Sequence, residues 1–309
     1  MAKIDKKGFL HGKVGPIVYR VSRGQQIISR KPARVRQTHA TKESALEFGL
    51  ASSSACAIRY AFSSICFMGD QGMINRLNAA VMRCIKGNKG KMRGERDLHD
   101  GDLSQLKGFQ FNTNSPLDKV LPVRPECTLD QDRRIQVHVP AFRTDVGFKQ
   151  DRETTKCTMR LMLMVMNFKE EYFECLEHAD LPVNQSSKPK SFDWAPEKQI
   201  PEGCIALVSL TLQNFAYSSA EQKHIYLNSR DFNPAEIIGA FSIEAGDAPP
   251  MTDEQKVGKR IRGYMGAKIF VKFSQLSKGG KRSAKSKRRK APDQEEDPLA
   301  VPKGKVKFK

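Results

Sequence analysis

The sequence predicts an α+β fold that is mainly β, with an N-terminal β-hairpin and a helical hairpin followed by an antiparallel β-sandwich. Three observations support this prediction. A glycine-containing turn joins strand-forming residues near the N-terminus, apolar residues recur at helical spacing within residues 48–84, and short apolar or alternating runs begin near residue 108. At 309 residues, the chain is long enough for two domains.

The hairpin is predicted from residues 8–32, GFLHGKVGPIVYRVSRGQQIISRKP. Strand-forming residues at 17–21 and 26–29 flank a turn that contains glycine. Pro16 has no backbone N–H to donate, so we expect the first strand to begin at Ile17. The arginines between the apolar residues form either a solvated face or a ribbon whose guanidinium groups match a phosphate backbone: Arg20, Arg23 and Arg30.

Two helices are expected next. Apolar residues recur at spacings of three and four within residues 48–65, with Thr41 as the expected N-cap. The same spacing returns within residues 74–84, after a break at Gly69 and a capping Asp70. The short connection favours a helical hairpin, with a DNA-binding helix-turn-helix as the alternative.

From about residue 108 the pattern changes to strands. Strands are predicted at residues 109–111, 135–139, 158–168, 172–176, 205–215, 225–227 and 268–273. Because no helical stripe separates them, they predict a sandwich of the immunoglobulin-like type. The run MRLMLMVM at residues 159–166 is apolar on both faces apart from Arg160, which favours a central strand over a methionine-rich binding surface.

These segments divide the chain into four parts. Residues 1–40 form a basic hairpin arm and connector, residues 41–96 a helical hairpin and basic loop, and residues 108–276 the sandwich domain. Residues 277–309 are rich in Gly, Ser, Lys and Pro and carry little apolar content before Leu299, so we expect a disordered basic tail.

The hairpin segment carries a spaced motif: Gly-Lys-Val-Gly at residues 12–15, Val18, Gly24 and Arg30-x-Pro32. This motif resembles the opening of an uncharacterised family of Bacteroidota proteins, whose members begin with a short hairpin and continue with a basic segment, helices and a β-sandwich-like half. Similar segments follow in the same order: FGLA at 48–51 with Ile58, Arg59 and Phe62, and then residues 205–215, 225–228 and 232–233. Members often carry Asn-Gly where this chain has residues 218–224. The resemblance implies an architecture over roughly residues 8–245 and no activity, because none is established for the family.

The charge is concentrated at both ends of the chain. The net charge is +19, of which residues 1–43 carry +9, residues 277–309 carry +8 and residues 44–276 only +2. Basic arms on a nearly neutral body indicate an acidic polymer or surface as partner. The predicted nucleic-acid-binding residues are Arg20, Arg23, Arg30, Lys31, Arg34, Arg36, Lys86, Lys89, Lys91, Arg93, Lys285, Lys287, Arg288, Arg289 and Lys290.

No sequence motif indicates a reaction. The glycine-rich segment KGNKGKMRGER at residues 86–96 lacks the order of a P-loop, and is either a flexible loop or a loop that contacts phosphate. Residues 97–102, DLHDGD, form a capped polar turn or, less favoured, a loop that binds a divalent cation. A Cys–His pair that folding brings together is the remaining catalytic alternative. We therefore expect no enzyme activity, no cofactor and no metal.

The expected location is the cytoplasm, or a particle assembled there. Seven scattered cysteines without a C-x-x-C pair are typical of a reducing compartment. No apolar segment follows the N-terminal lysines as in a signal peptide, and the longest apolar run, residues 161–166, is too short to span a bilayer. We expect no membrane partner.

Two functions remain. The first is a non-enzymatic nucleic-acid-binding protein that grips phosphates with basic arms on a sandwich scaffold and reads no sequence, since its basic segments carry few aromatic residues besides Tyr19 and Phe308. The second is a structural or assembly protein, part of an oligomer or particle, whose hairpin and sandwich make protein–protein contacts. The expected partners are nucleic acid or another polyanion, and other proteins or further copies of the chain.

Overall fold

The computed structural model describes residues 2–22, 24–31, 37–148, 153–246, 251–252, 254–261 and 264–280, with the backbone alone for 277–280. Within these ranges, antiparallel strands in three sheets predominate over five helices. This composition confirms the predicted class, α+β and mainly β.

The first sheet is a four-stranded antiparallel meander, called the N-terminal meander below. Its strands are β1 (Ala2–Ile4), β2 (Leu10–Val14), β3 (Ile17–Ser22) and β4 (Gln25–Arg30). Strands β3 and β4 are the predicted hairpin, and β3 begins at Ile17 as predicted. The sequence pattern does not reveal β1 and β2. The turns before and after β2 contain Gly8 and Gly15, whose φ angles of +83° and +54° lie in the left-handed region that favours glycine.

Helices α1 (His39–Ala61), α2 (Ser63–Cys66) and α3 (Met73–Gly87) contain the predicted helical hairpin. Helix α1 begins earlier than predicted, because Thr38 and not Thr41 is its N-cap. The Thr38 hydroxyl accepts the hydrogen bond of the Thr41 N–H. The expected contribution of Asp70 to capping α3 is indirect, since its carboxylate accepts the N–H of Gly72, the N-cap residue.

The predicted apolar stripe of α1 faces the core except at its start. Ala51 and Ile58 are buried, whereas Phe48 is exposed. The serines of this helix allow a close neighbour, as their small size predicts. Ser53 is buried, and its Oγ accepts a hydrogen bond of 2.6 Å from the Met265 backbone N–H.

Two further antiparallel sheets follow the helices. The larger has the strand order β5–β13–β11–β8–β9, with β12 also pairing with β11, and the smaller has the order β10–β7–β6. Their bounds are β5 (Phe109–Gln110), β6 (Glu126–Leu129), β7 (Ile135–Phe142), β8 (Lys156–Asn167), β9 (Tyr172–Val183), β10 (Lys190–Trp194), β11 (Ile205–Ser218), β12 (Lys223–Tyr226) and β13 (Ala235–Ser242). The short helix α4 (Leu117–Val120) lies between β5 and β6 along the chain.

The larger sheet lies between the helices and the smaller sheet. On one face, Met164 and Leu207 pack in a cluster with residues of α1 and α3. On the other face, Leu163 and Val208 pack in a second cluster with residues of the smaller sheet, among them Trp194. Strand β8 is therefore a central strand, as its doubly apolar run predicts, and Met164 fills the core.

One predicted strand is wrong. Residues 268–273 belong to helix α5 (Gly266–Gly280), and Ile269 and Phe273 are buried against α1 while Val271 between them is exposed. A short apolar run is compatible with the period of a helix and with that of a strand. In the structure, the buried residues Ile269 and Phe273 are four apart, which is a helical spacing. The helix also includes residues 277–280, assigned above to the tail; residues 281–309 lie outside the described residues.

The remainder of the sandwich prediction holds in its coarse form. The structure has two packed antiparallel sheets, but the immunoglobulin-like type is not confirmed, since helices cover the second face of the larger sheet. Strands β6, β10 and β13 are absent from the prediction. The division into four parts stays a prediction, although the helices and the larger sheet share one apolar cluster.

Replacing Phe273 by alanine should cost about 3–5 kcal/mol in the free energy of unfolding, because the substitution leaves a cavity between α5 and α1. Val271→Ala is the matched control and should cost less than about 0.5 kcal/mol, because Val271 is 57 % exposed. Urea denaturation measures both. In the predicted strand, Val271 and Phe273 would share a face, so equal losses would contradict the helix.

Candidate nucleic-acid interface

The N-terminal meander presents one basic face. Antiparallel register places Lys3 opposite His11 in neighbouring strands, and Arg20 continues that row in β3. The Lys13 side chain lies on the same face and contacts that of Lys31, just beyond β4. Alternation along the strands therefore gathers five basic side chains, called the basic face below: Lys3, His11, Lys13, Arg20 and Lys31.

Two lysine side chains on this face lie close together. Lys31 lowers the pKa of Lys13 below its usual value, because its ammonium group can donate a hydrogen bond to the neutral amine of Lys13 and because like charges repel each other. An anion near both side chains is attracted to each of them.

The only carboxylate in residues 1–31 is occupied by its own turn. Asp5 Oδ1 accepts hydrogen bonds of 2.9 Å from the backbone N–H groups of Lys7 and Phe9, and its Oδ2 lies 2.9 Å from His11 Nε2. The bond from His11 and the backbone bonds hold the pKa of Asp5 below its usual value. Asp5 thus fixes the β1–β2 turn and leaves Lys3, Lys13 and Arg20 without an ion pair among the described residues.

The predicted arginine ribbon is split between two faces. Arg20 lies on the basic face, but Arg30 pairs with Ile17, three residues before Arg20, and therefore lies on the opposite face. Lys31 joins the basic face. The other predicted residues of this region, Arg23, Arg34 and Arg36, lie outside the described residues, as do Lys285, Lys287, Arg288, Arg289 and Lys290.

The basic loop at residues 86–96 is tied to the helices by its own charges. Lys91 Nζ lies 2.6 Å from Asp100 Oδ2, and Arg93 donates to Ser44 Oγ at 3.1 Å. Arg96 Nε lies 2.5 Å from the buried carboxylate of Glu47 in α1. These contacts argue against a flexible loop. They also neutralise part of the positive charge that would attract a phosphate group.

Two predicted residues of the loop keep an uncompensated charge. Lys86 and Lys89 are exposed and have no ion pair within 4.0 Å in the part of the chain that the structure describes. They add to the predicted interface. Lys91 instead forms an ion pair with Asp100, and Arg93 forms one with Glu47 and donates a hydrogen bond to Ser44.

The turn at residues 97–102 is a capped polar turn. Asp97 Oδ1 accepts the N–H of Asp100, and Asp102 caps the 3₁₀ turn at Leu103–Leu106 through the N–H of Ser104. His99 Nε2 accepts the backbone N–H of Phe168 at 3.1 Å. Among the described residues, no group of three or more His, Cys, Asp or Glu side chains is arranged to hold a metal ion.

Sequence reasoning missed Lys3, His11 and Lys13 as members of the interface. Their signal is present but weak, because Lys3 and the segment LHGKV alternate polar and apolar residues over very short strands. Gly12 interrupts the second of them, and its φ of +110° is not that of an ordinary strand residue.

Two cavities bear on the catalytic alternative. The larger, of about 810 Å³, is lined by Tyr60, Lys169, Glu170, Glu171, Lys256, Gly258, Arg260 and Ile261, and an ion pair of 3.3 Å joins Lys256 to Glu170. The other, of about 350 Å³, lies beside Glu236, whose burial raises the pKa of its carboxyl group. The described residues that line these two cavities include no cysteine and no histidine, so neither cavity holds the Cys–His pair considered above as a nucleophile.

Burial makes four of the thiols poor nucleophiles. Burial raises the pKa of the Cys66, Cys84 and Cys127 thiols to about 12, so that they remain protonated near neutral pH. Cys204 is buried as well, and its Sγ lies 3.1 Å from the hydroxyl of Tyr172. These cysteines act as small apolar residues of the core.

Comparison of the chain with protein-family models, with curated proteins and with solved structures gives no match. The resemblance to the Bacteroidota family therefore stays a prediction, and the function is argued from the residues alone. None of the helices within the described ranges has the length and apolar character needed to cross a membrane.

Removing the carboxylate of Glu47 should destabilise the fold strongly. Glu47→Ala leaves the guanidinium group of Arg96, 14 % exposed, without its partner, and we expect a loss of about 3–5 kcal/mol in the free energy of unfolding. Lys91→Ala breaks the more exposed pair with Asp100 and should cost at most about 1 kcal/mol. Urea denaturation compares the two, and similar losses would contradict a loop fixed through Glu47.

Stability should fall as the pH drops below about 6.5, partly through His99. Burial lowers the pKa of His99 from its ordinary value of 6.5, so the unfolded chain binds this proton more readily than the folded one. The contribution is fully present above pH 6.5 and is lost by at most about 1.4 kcal/mol per pH unit below it, until the lowered pKa of the folded state is reached.

The variant His99→Gln isolates this effect from the other histidines. Thermal denaturation of the variant and of the unaltered chain between pH 8 and pH 5 should give stability curves that converge toward acid pH. Parallel curves would show that His99 has the same pKa in the folded and the unfolded chain.

Proposed function

We propose that this chain is a non-enzymatic protein that binds nucleic acid through phosphate contacts and reads no base sequence. The observation that supports the proposal is the basic face of the N-terminal meander, where Lys3, Lys13, Arg20 and Lys31 lie together and no carboxylate within the described ranges forms an ion pair with them. Arginine and lysine side chains on one surface attract a phosphate backbone, and the release of counterions supplies the free energy.

The shape of the meander supports the same proposal. Strands of five or six residues give a platform about 15–20 Å long, a length that spans several nucleotides of a backbone. The basic face holds no exposed aromatic side chain on which a base could stack, since Tyr19 alternates to the other face. Affinity without base recognition follows from this composition.

The remaining predicted cations extend the proposed interface. Lys86 lies in the last turn of α3 and Lys89 just after that helix, and the five basic residues within 285–290 add charge from a part of the chain outside the described residues. The expected partner is nucleic acid or another polyanion, and the cytoplasm remains the proposed location.

Fluorescence anisotropy with labelled single-stranded and duplex nucleic acid tests the proposal. The full chain should bind both at low salt with micromolar or tighter affinity, and the logarithm of its affinity should fall linearly with the logarithm of the salt concentration. Replacing Lys3, Lys13, Arg20 and Lys31 together by serine should weaken binding at least tenfold and make the salt dependence shallower by up to about four phosphate contacts.

The control removes the same amount of charge from the body of the protein. Lys119, Lys188, Lys198 and Lys223 are exposed, and replacing these four by serine should leave binding nearly unchanged. Equal losses in the two variants would attribute binding to net charge and refute a role of the basic face. A full chain that does not bind at low salt would refute the function itself.

A further inference from the structure

The face of the N-terminal meander opposite the basic face is mainly apolar, and Gln26 and Arg30 of β4 are its polar residues. In β3 it carries Ile17, Tyr19 and Val21, and the residues that pair with these in β2 and β4 add further apolar side chains. The set, called the apolar face below, consists of Ile4, Leu10, Val14, Ile17, Tyr19, Val21 and Ile28.

Nothing in the described part of the chain covers this face. None of residues 2–22 and 24–31 is buried, and no residue of the meander belongs to either apolar cluster of the body. Ile4 is 71 % exposed, Ile28 62 % and Val14 54 %. A sheet that is apolar on one face requires a second layer over that face, and four strands alone do not supply it.

We propose that the apolar face packs against the apolar face of a second copy of this chain, which gives a two-layered dimer with both basic faces outward. A two-fold axis makes the contact self-complementary, since each apolar side chain meets the same surface on the other copy. Aligned packing of two sheets about 10 Å apart is the usual solution for such faces.

The charges favour a second copy over the chain's own basic tail. Residues 1–31 carry eight Lys and Arg against Asp5, and residues 277–309 also have a large positive charge, so that covering the meander with the tail would place like charges side by side. Face-to-face packing of two meanders instead holds the two basic faces on opposite outer surfaces, and Arg30, the last residue of the edge strand β4, lies at the rim of the contact. The separation of the two basic faces, about 20 Å or more, exceeds the screening length of roughly 8 Å at physiological salt.

The contact area predicts a weak dimer. Four strands spaced about 4.8 Å apart and up to about 20 Å long give a flat footprint of about 400 Å² on each copy. The total buried area of roughly 800–1,000 Å² lies below the range of about 1,200–2,000 Å² for stable specific interfaces and is typical of weak, transient ones. We therefore expect dissociation in the micromolar range, with the dimer populated at high concentration.

Sedimentation velocity of the nuclease-treated full chain in 0.5 M salt tests the dimer apart from nucleic-acid binding. Between 1 and 200 µM, the unaltered chain should change from monomer to dimer. Ile28→Lys and Val14→Lys each place a charge on the apolar face and should raise the dissociation constant of the dimer at least tenfold. Ser29→Lys adds the same charge beside Ile28 on the basic face and should leave it unchanged.

A distance measurement keeps the test independent of those variants. With Cys175, the exposed cysteine, replaced by serine and a spin label introduced at position 29, face-to-face packing predicts a label separation of about 20–30 Å. Pairing of the β4 edges would bring the labels within about 15 Å. The sole tryptophan, Trp194, reports by near-ultraviolet circular dichroism that the body remains folded.

Three results would overturn the proposal: a monomer at 200 µM, a dimer that tolerates both lysine variants of the apolar face, or labels closer than about 15 Å. A monomer that still binds nucleic acid would leave the proposed function intact and assign the apolar face to a different protein. A dimer without affinity for nucleic acid would support the dimer and refute the proposed function.

Discussion

The fold depends on two neighbouring strands that are buried on both faces. Side chains of β8 and β11 alternate between a cluster shared with the helices and a cluster shared with the smaller sheet. Each strand is therefore apolar along most of its length, and its backbone groups are satisfied by the ladder between the two strands and by the ladders to β9 and β13. The apolar cluster of the helices and that of the smaller sheet both include side chains of these two strands.

The sequence predicts those parts of the fold in which one period continues over many residues. The helices and the long strands β8 and β11 are of this kind. Strand β13 is hidden because Glu236 and Gly239 interrupt its apolar pattern, although Glu236 is buried with its carboxylate 2.5 Å from the amide of Gln110. Of the candidate interface, Arg20 and Lys31 are predictable from composition, but Lys13 required the strand register, which short strands do not specify.

Charges are distributed differently in the body and in the N-terminal meander. In the body, several arginines lie against acidic partners, as Arg76 with Asp70 and Arg160 with Asp180 do at 2.7 and 2.6 Å. Burial raises the pKa of Asp70, but the bonds from Arg76, Thr113 and Gly72 lower it by more. The meander has Asp5 as its one acidic residue, and no ion pair engages the lysines of its basic face within the described ranges.

The position of the larger sheet in the chain affects how the protein is made. Helix α1 ends at Ala61 and helix α3 at Gly87, but β11, one of the strands that support them, begins at Ile205. At about 5–20 residues per second, a ribosome needs on the order of ten seconds to synthesise the interval. During that time the apolar stripes of both helices have no sheet to cover them, so the nascent chain offers a binding surface to chaperones that the finished protein conceals.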